Sequence, residues 1–396
     1  MTTIPHGGST GPAPGTPVAA DPAGPADPAR PADPAGPADP ARPAGPARPA
    51  GPADPRGDWQ AYHVFYAAST RPFLLQCARP LVAELTRDGL LSGWFFINYW
   101  LEGPHIRLRL RPSSPQAGPE VAARAAAAVE DFLKRRPALY EVKDGFLAEL
   151  YNTLFELEYP GGERDRFTDA AGRMRLRPNN SFAAEPYEPE YGKYGGPAGV
   201  ELAEWHFQRS SELVVDAAAT MNLHVRTVLL GTAAQLMMTM AGCLLPGETA
   251  LLTFLDRYHE FWNSAFTGTN FTASDGYDRA YQAMGTALPH RFQEIRRATA
   301  RPALGRLPGF LRGWAEHGLE LRERVSELAR SGDLVFRSWD GSRDLPVDDP
   351  EQALPMLASP YLHMTNNRLS VSVRDEAYLS YVLGRALREP RPAVTP

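Results

Sequence analysis

A proline recurs at every third position from Pro22 to Pro55, and this repeat restricts where the chain is able to fold. Residues 1–57 contain 16 prolines and almost no large apolar side chains. Glycine does not occupy every third position, so a collagen triple helix is excluded. Such a segment buries too little apolar surface to offset the entropy of ordering it. We therefore predict a disordered, polyproline II-like arm over 1–57 and a folded domain over 58–390.

The folded part has the composition of an ordinary soluble domain. Cys77 and Cys243 each lie in an apolar helical pattern. They suggest neither a disulfide framework nor a zinc site, which favours the reducing cytoplasm. The longest apolar run, Val225 to Leu245, is interrupted by Arg226 and predicts a buried helix rather than a membrane span. The formal net charge of −5, without a long basic run, argues against extensive nucleic-acid binding by this chain alone.

The spacing of apolar residues predicts an α+β fold. A mixed or antiparallel sheet with flanking helices is expected over about 58–195, and a predominantly helical part over about 196–390. Strands are predicted at 59–67, 95–100, 105–111, 173–177 and 181–187, with the last two as partners. Helices are predicted at 72–87, 120–135, 145–158, 197–221, 225–244, 249–266, 276–284, 293–299, 307–329 and 375–387. The polar stretch 357–369 is expected to interrupt the helical part before the last helix.

The predicted strand HIRLRLR alternates strictly between basic and apolar side chains. Successive side chains of a strand point to opposite faces. One face therefore carries His105, Arg107, Arg109 and Arg111. Such a row fits a solvated face whose arginines pair with carboxylates such as Glu102 or Glu185. It also fits an anion site, because guanidinium groups bind carboxylates through two parallel hydrogen bonds.

Two further segments are polar although the sequence around them is typical of packed structure. Residues 187–196 (YEPEYGKYGG) predict an ordered loop in which Glu190 and Lys193 form a surface ion pair or part of a site. Residues 359–369 (SPYLHMTNNRL) contain His363, either a hydrogen-bonded core histidine or a proton-transfer group. The predicted folded part, 58–390, has no HExxH, GxxxxGKS/T or GxSxG motif and no GxGxxG after a strand. The sequence thus gives no support to zinc proteases, nucleotide binding or serine hydrolases.

Taken together, WFFINYWLEGPHIRLRLRP, RPNNSFAAEPYEPEYGKYGGPAGVELAEWHF and YLHMTNNRL resemble, in this order, motifs of the glutamate-elimination domain of class I lantibiotic dehydratases. In thiopeptide and related pathways this domain occurs as a free-standing protein, the thiopeptide-type bacteriocin biosynthesis domain. The resemblance extends from about Trp59 to Arg388. It implies a lyase that acts after a separate glutamyl-tRNA-dependent dehydratase subunit has glutamylated Ser or Thr of a precursor peptide. The lyase removes the α-proton and expels glutamate, which leaves dehydroalanine or dehydrobutyrine, and it needs no cofactor or metal.

The resemblance also implies roles for individual residues. Arg107 and Arg109 match paired arginines that hold the glutamyl carboxylates or stabilise the enolate. His363 matches a histidine suited to proton transfer. Glu190 and Lys193 complete the predicted catalytic set. Substrate binding is predicted for five other polar residues of the same motifs, namely His105, Tyr187, Tyr194, Asn367 and Arg368.

At two positions the chain departs from the family pattern, and these departures leave other functions open. Asn98 and Lys193 stand where the family usually has arginine, and lysine keeps the charge but loses the bidentate fork. A pyridine synthase has the same fold by this resemblance. It joins two dehydroalanines in a formal 4+2 cycloaddition, releases the leader peptide and processes no glutamyl ester. A non-catalytic subunit that binds an acidic leader is the third interpretation. All three act on a precursor peptide with a leader, and none requires this chain to contact nucleic acid or a membrane.

Overall fold

The computed structural model describes residues 59–139, 155, 165–170, 172–265, 281–282, 287–300, 304–338 and 341–389. The predicted arm over 1–57 lies outside these residues. So do the predicted helices over 145–158 and 276–284, apart from positions 155 and 281–282. In the described part an antiparallel sheet with flanking helices precedes a mainly helical region, which confirms the predicted α+β class.

The main sheet of the described residues has the strand order β2-β3-β1-β4, and each of its pairs is antiparallel. Its strands are β1 (Gln60–Phe65), β2 (Leu91–Tyr99), β3 (His105–Pro112) and β4 (Ser181–Glu185). Tyr62 of β1 pairs with Leu108 on one side and with Ala184 on the other. A second sheet pairs β5 (Val335–Arg337) with β6 (Asp344–Pro346).

Helices flank this sheet and make up most of the remaining described structure. The first helical segment comprises α1 (Arg71–Phe73), a π turn (Leu74–Ala78) and α2 (Arg79–Arg87). A 3-10 turn (Pro115–Ala117) leads into α3 (Gly118–Arg135). The later helices are α4 (Tyr191–Tyr194), α5 (Gly196–Thr220), α6 (Arg226–Leu244), α7 (Glu248–Ala265), α8 (Ala287–Ala300), α9 (Gly309–Arg330), α10 (Pro350–Leu369) and α11 (Val373–Arg388), with a 3-10 turn at Leu304–Arg306.

One face of β3 carries apolar side chains that pack into the core. The apolar residues of β3 on this face have no exposed surface; they are Ile106, Leu108 and Leu110. The apolar residues of α3 recur every three or four positions and so form a single stripe. This stripe, Val121, Ala125, Val129 and Phe132, belongs to the same buried cluster as the β3 residues. The alternation read from the sequence therefore sorts the two faces of β3 correctly.

The prediction of a strand over 173–177 is wrong. An isolated bridge between Thr168 and Met174 is the β contact found there, and β4 pairs with β1 instead. A strand needs a neighbour for its backbone groups, and β1 already has β3 and β4 on its two sides. The alternation still sorts the side chains, since Met174 is buried while Arg177 lies 3.5 Å from Glu185.

The prediction that 357–369 interrupts the helical part is also wrong. These residues belong to α10, which continues through Pro355 and Pro360. Asp349 caps the first turn through its side chain, and Ser370 ends the helix with a φ of 63°. Helix α10 is buried on almost every side, so it shows no apolar stripe, the pattern by which a helix is recognised in a sequence.

Helix α6 is the described helix that is long and apolar enough to cross a membrane, judged by length and composition. Of its apolar window, 61% is buried inside the structure. Its buried side chains lie from Thr232 to Leu244. Helices in the core of a globular protein have the same length and composition. The burial of α6 therefore agrees with the buried helix predicted at 225–244.

Candidate functional site

The basic row of β3 lies on the sheet face opposite to Ile106, Leu108 and Leu110. The register places His63 of β1 beside Arg107, and Tyr99 of β2 beside His105. We call this side the arginine face; it carries His63, Tyr99, His105, Arg107, Arg109 and Arg111. Its charge comes from the arginines, because burial lowers the pKa of both His63 and His105, so that each is neutral at physiological pH.

Arg107 is held in position by its neighbours on this face. Its Nε donates to Nε2 of His105 at 3.2 Å, and its guanidinium lies 3.5 Å from the centre of the Tyr99 ring. The Nδ1 of His105 lies 2.9 Å from the carbonyl oxygen of Gly103. These contacts fix the tautomer, with the proton on Nδ1 donated to Gly103 and the lone pair of Nε2 accepting from Arg107. Burial, and then Arg107, lower the pKa of His105 to about 3.

Arg109 is the buried cation of the face, with only 5% of its surface exposed. Its Nε and Nη1 have no hydrogen-bond partner, and its guanidinium lies 5.5 Å from the centre of the Tyr187 ring. Burial, and then Arg107, lower its pKa to about 9. Burying a charge without partners is costly. A buried guanidinium with free donors is therefore typical of a site that receives an acceptor from a ligand.

The segment from Tyr187 to Gly196, here called the YGG loop, lies beside Arg109. The Tyr187 hydroxyl donates to Glu204 of α5 at 2.8 Å. The Nζ of Lys193 lies 3.3 Å from both carboxylate oxygens of Glu190. The backbone turns at Gly195 and Gly196, whose φ values of 84° and 88° favour glycine. The predicted ion pair is thus present, although both residues are partly buried.

Tyr194 at the end of the YGG loop faces inward. Its ring lies 5.3 Å from that of Phe207 and 6.0 Å from that of Tyr361, centre to centre. Its hydroxyl is buried and has no hydrogen-bond partner. Burial, and then Glu190, raise the pKa of Tyr194 well above its ordinary value, so the phenol stays protonated. It is a neutral donor rather than a base.

The last turns of α10 bring two predicted substrate-binding residues to the same region. Asn367 and Asn98 bind each other reciprocally: Asn98 N donates to Asn367 Oδ1 at 2.9 Å, and Asn367 Nδ2 donates to the Asn98 carbonyl at 2.7 Å. Arg368 is 1% exposed and lies 4.6 Å from the centre of the Phe207 ring. Its Nε donates to Ser211 at 3.1 Å, whereas its Nη2 has no partner. Burial lowers the pKa of Arg368 to about 9.

His363 lies one helical turn before Asn367 and contacts other elements. Its Nδ1 is 2.9 Å from Oε1 of Glu376 in α11, and its ring lies 5.0 Å from that of Trp262 in α7. The second oxygen of Glu376 accepts from the Tyr258 hydroxyl. Among the described residues, His363 thus contacts α7 and α11.

The structure brings most of the predicted residues into one chain of contacts. Arg109 lies beside Tyr187, whose ring is 6.2 Å from that of Phe95. Phe95 is 5.4 Å from Phe207, which packs against Tyr194 and Arg368. Helix α10 contacts β2 at Asn98, next to Ile97, the cross-strand partner of Arg107. His363 belongs to the same helix, but its side chain contacts Glu376 and Trp262 rather than the described residues of the arginine face. The roles of these residues remain predictions.

Sequence reasoning missed several side chains of this region. They are Trp59 and Tyr99 over the arginines, Phe207 and Tyr361 around Tyr194, and Glu376 beside His363. The sequence does contain a sign that Glu376 is buried, because it stands on the apolar face of α11 in line with Leu379, Leu383 and Leu387. A carboxylate at such a position needs a buried partner. Among the described residues, no group of three or more His, Cys, Asp or Glu side chains is arranged to hold a metal ion.

Solved structures of several other proteins align with this chain. The pyridine synthase TbtD from thiomuracin biosynthesis aligns with a TM-score of 0.62 and 22% identity, over 83% of this chain and 97% of that chain. TsrL aligns with a TM-score of 0.55 and 18% identity, over 83% and 94%. The tRNA-dependent lantibiotic dehydratase MibB from Microbispora sp. 107891 aligns with a TM-score of 0.47 and 18% identity, over 85% of this chain and 28% of that chain.

A search of curated protein sequences gave no significant match. A family model described as the C-terminal part of lantibiotic biosynthesis dehydratases matches residues 59–387. This match includes the arginine face, the YGG loop and α10, and it confirms the resemblance seen in the motifs. Because the matched region is most of the chain, the protein belongs to the lantibiotic biosynthesis dehydratase C-terminal family.

Proposed function

We propose that this protein, a member of a family that modifies ribosomally made peptides, closes a ring between two dehydroalanines of its precursor peptide. The reaction is a formal 4+2 cycloaddition. One dehydroalanine and its preceding amide, in the iminol form C=N–C=C, supply four ring atoms, and the alkene of the second supplies two. Two carbon–carbon bonds form. The ring then loses water from the iminol carbon and loses the leader peptide as its C-terminal amide. These two eliminations make the ring an aromatic pyridine without any oxidant.

The proposal rests on what positions 98 and 193 do in this structure. By the resemblance described above, the elimination family usually has arginine at both positions. Here the side-chain amide of Asn98 donates to the Asn367 carbonyl at 2.7 Å and so joins β2 to α10. The ammonium of Lys193 is paired with Glu190, and its side chain is 10% exposed. Neither residue supplies a guanidinium for a carboxylate, and cyclisation of two dehydroalanines has no anionic leaving group to hold.

The side chains that retain free hydrogen-bonding atoms suit an amide substrate. Arg109 has two unpaired donors, and the Tyr194 phenol is protonated and unpaired. Donors of this kind polarise an amide carbonyl and stabilise its iminol tautomer. His363 is the proposed group for the proton transfer between the two tautomers. The pyridine synthase TbtD, which aligns over nearly its whole length, gives the proposal further support. The buried free thiols of Cys77 and Cys243 suit the cytoplasm that we propose as its location.

The test is incubation of the full-length protein with a synthetic leader peptide that bears two dehydroalanines in its core. We expect a smaller cyclic product, absorbing as a pyridine, together with the leader as an amide in equal amount. Arg109→Lys is expected to lower the rate, whereas the surface variant Arg124→Lys serves as the matched control. An unchanged linear peptide contradicts the proposal.

Glutamate elimination is the second candidate, and the arginine face favours it. Arg107 and Arg109 have no carboxylate within ion-pair distance among the described residues, so both are able to bind an anion. A peptide with glutamylated serine distinguishes the two functions, because elimination releases free glutamate and leaves dehydroalanine. If both peptides stay unchanged while the leader still binds the His363→Ala variant, the protein is a non-catalytic peptide-binding subunit. The precursor peptide and a separate glutamyl-tRNA-dependent dehydratase are the partners proposed in either case.

A further inference from the structure

Three buried polar side chains form a hydrogen-bonded chain between α7, α10 and α11. His363 Nδ1 lies 2.9 Å from Oε1 of Glu376, and Oε2 of Glu376 accepts from the Tyr258 hydroxyl. Glu376 and Tyr258 have no exposed surface, whereas 11% of the His363 side chain is exposed. Only the imidazole end of this chain therefore reaches the surface of the described structure.

The contacts define where the protons are. Burial, and then Glu376, raise the pKa of Tyr258 well above its ordinary value, so the phenol donates. A carboxylate that accepts from Tyr258 at one oxygen accepts from His363 Nδ1–H at the other. The neutral imidazole then has its lone pair on Nε2. This nitrogen has no hydrogen-bond partner among the described residues and is not one of the buried unpaired atoms.

A buried carboxylate at this position is unfavourable for packing alone. Glu376 stands on the apolar face of α11 with Leu379 and Leu383. Replacing a buried polar pair by apolar residues of similar volume is often neutral or stabilising. Packing alone therefore does not explain Glu376. Among the described residues, His363 is the polar side chain that both contacts Glu376 and reaches the surface.

We infer that Glu376 is a positioning residue that holds His363 with its Nε2 ready to accept a proton, and that Tyr258 anchors Glu376. The inference rests on the proposed function, since it takes His363 as the proton-transfer group. In the step itself, Nε2 takes the proton from the substrate while Nδ1 keeps its own. Glu376 remains a carboxylate and stabilises the imidazolium, which returns the proton later. No oxidant or further reactant is needed.

The first experiment is a mutant cycle on the full-length protein with the peptide that it turns over. We expect Glu376→Gln to lower kcat by about ten- to hundredfold with little change in KM, and Tyr258→Phe to lower it less. In the His363→Ala background, Glu376→Gln has no further effect, because Glu376 acts through the imidazole. Equal loss in both backgrounds, or full activity of His363→Ala, overturns the inference.

The matched control is Asp375→Asn, which removes the neighbouring buried carboxylate of α11. Asp375 binds Ser372 and Arg226 and does not contact His363. The variant is expected to melt at a lower temperature but to keep its kcat. If Asp375→Asn loses as much kcat as Glu376→Gln, general destabilisation explains the loss and the inference is wrong.

The second experiment needs no substrate and separates this inference from the proposed function. Nitrogen-15 spectra of the histidine rings, with His363→Ala for assignment, report which ring nitrogen carries the proton. We expect Nδ1–H for His363 in the wild type and a changed tautomer ratio in Glu376→Gln, because an amide also donates. An unchanged ratio contradicts the positioning role. A protein that converts neither test peptide but shows this change refutes the function and leaves the positioning role standing.

Discussion

Arg107 and Arg109 stand two positions apart on β3, yet their guanidinium groups meet different surroundings. Arg107 is held by His105 and by the ring of Tyr99, whereas Arg109 is buried with two donors unpaired. A buried donor without a partner gains most from a ligand that supplies an acceptor. Arg109 is therefore the residue of this face whose chemical identity matters most for turnover.

Replacing Arg109 by lysine keeps the charge but removes the planar fork. Since a hydrogen bond to a charged group contributes about 1.5–3 kcal/mol, we expect kcat/KM to fall by about ten- to hundredfold. The control is Arg111→Lys, at a residue that contacts Ser92 and Trp59 near the end of the strand. Steady-state kinetics on the reactive peptide measure both variants, and equal rates for the two would remove Arg109 from the reaction.

His105 makes the stability of the fold depend on pH. Its pKa of about 3 in the folded state is lower than the 6.5 of a free histidine, first because it is buried and then because Arg107, Arg109 and Arg177 lie nearby. The unfolded chain therefore binds more protons between these two values, and stability is lost as pH falls from 6.5 towards 3. The slope from this one side chain is about 1.4 kcal/mol per pH unit.

The expected result is a shallower pH dependence in His105→Gln, measured by urea unfolding at several values between pH 5.5 and 4. Gln has hydrogen-bonding atoms for Gly103 and Arg107 but does not titrate. His290→Gln is the control, because His290 is a largely exposed residue of α8. Parallel curves for wild type and His105→Gln would show that the imidazole is protonated in the folded protein.

At the scale of elements, the packing of α4 against α5 positions the YGG loop. A Cβ on Gly199 would lie 1.7 Å from the Tyr194 carbonyl oxygen, an impossible distance, so the two helices approach as closely as they do only with glycine there. Gly199→Ala is expected to displace the loop, with a large loss of both stability and turnover. Gly231→Ala in α6 meets no atom within 4 Å. It is expected to stabilise the protein by about 0.4–1 kcal/mol, and thermal melting of the two variants compares them.

The elements also show why sequence reasoning succeeded and where it failed. It located β3 and α3 because each has one apolar side, which gives a clear period. It missed α10 because a helix enclosed by protein shows no separate apolar stripe, and because Pro355 and Pro360 are ordinarily helix breakers. The motifs singled out both Arg109 and Tyr187, and in the structure the Arg109 guanidinium lies 5.5 Å from the centre of the Tyr187 ring. Glu376 was missed because contact across helices is set by packing rather than by local spacing.

For the molecule as a whole, one buried apolar cluster joins the sheet to the helical part, from Tyr62 to Leu387. Phe207 of α5 lies at the junction, with Phe95 of β2 at 5.4 Å and Tyr194 at 5.3 Å. The parts at about 58–195 and 196–390 thus share a core within the described residues. We conclude that neither part has a complete core of its own.

We therefore expect a single unfolding transition for the full-length protein, with coincident midpoints by far-ultraviolet circular dichroism and tryptophan fluorescence. Phe207→Ala is expected to cost about 3–5 kcal/mol and to move both midpoints together. Two separate transitions, or a shift in one signal alone, would mean that the sheet and the helices unfold independently.

The contact between β2 and its helical neighbours also affects the tendency of the protein to aggregate. In the described sheet β2 is an outer strand, and such a strand ordinarily offers its backbone to other molecules. Here the Phe96 amide donates to Ser211, and the Asn98 amide and carbonyl both bind the side chain of Asn367. Two side chains thus bind backbone groups with which a strand of another molecule would otherwise pair. This protects the β2 edge of the sheet from edge-to-edge aggregation.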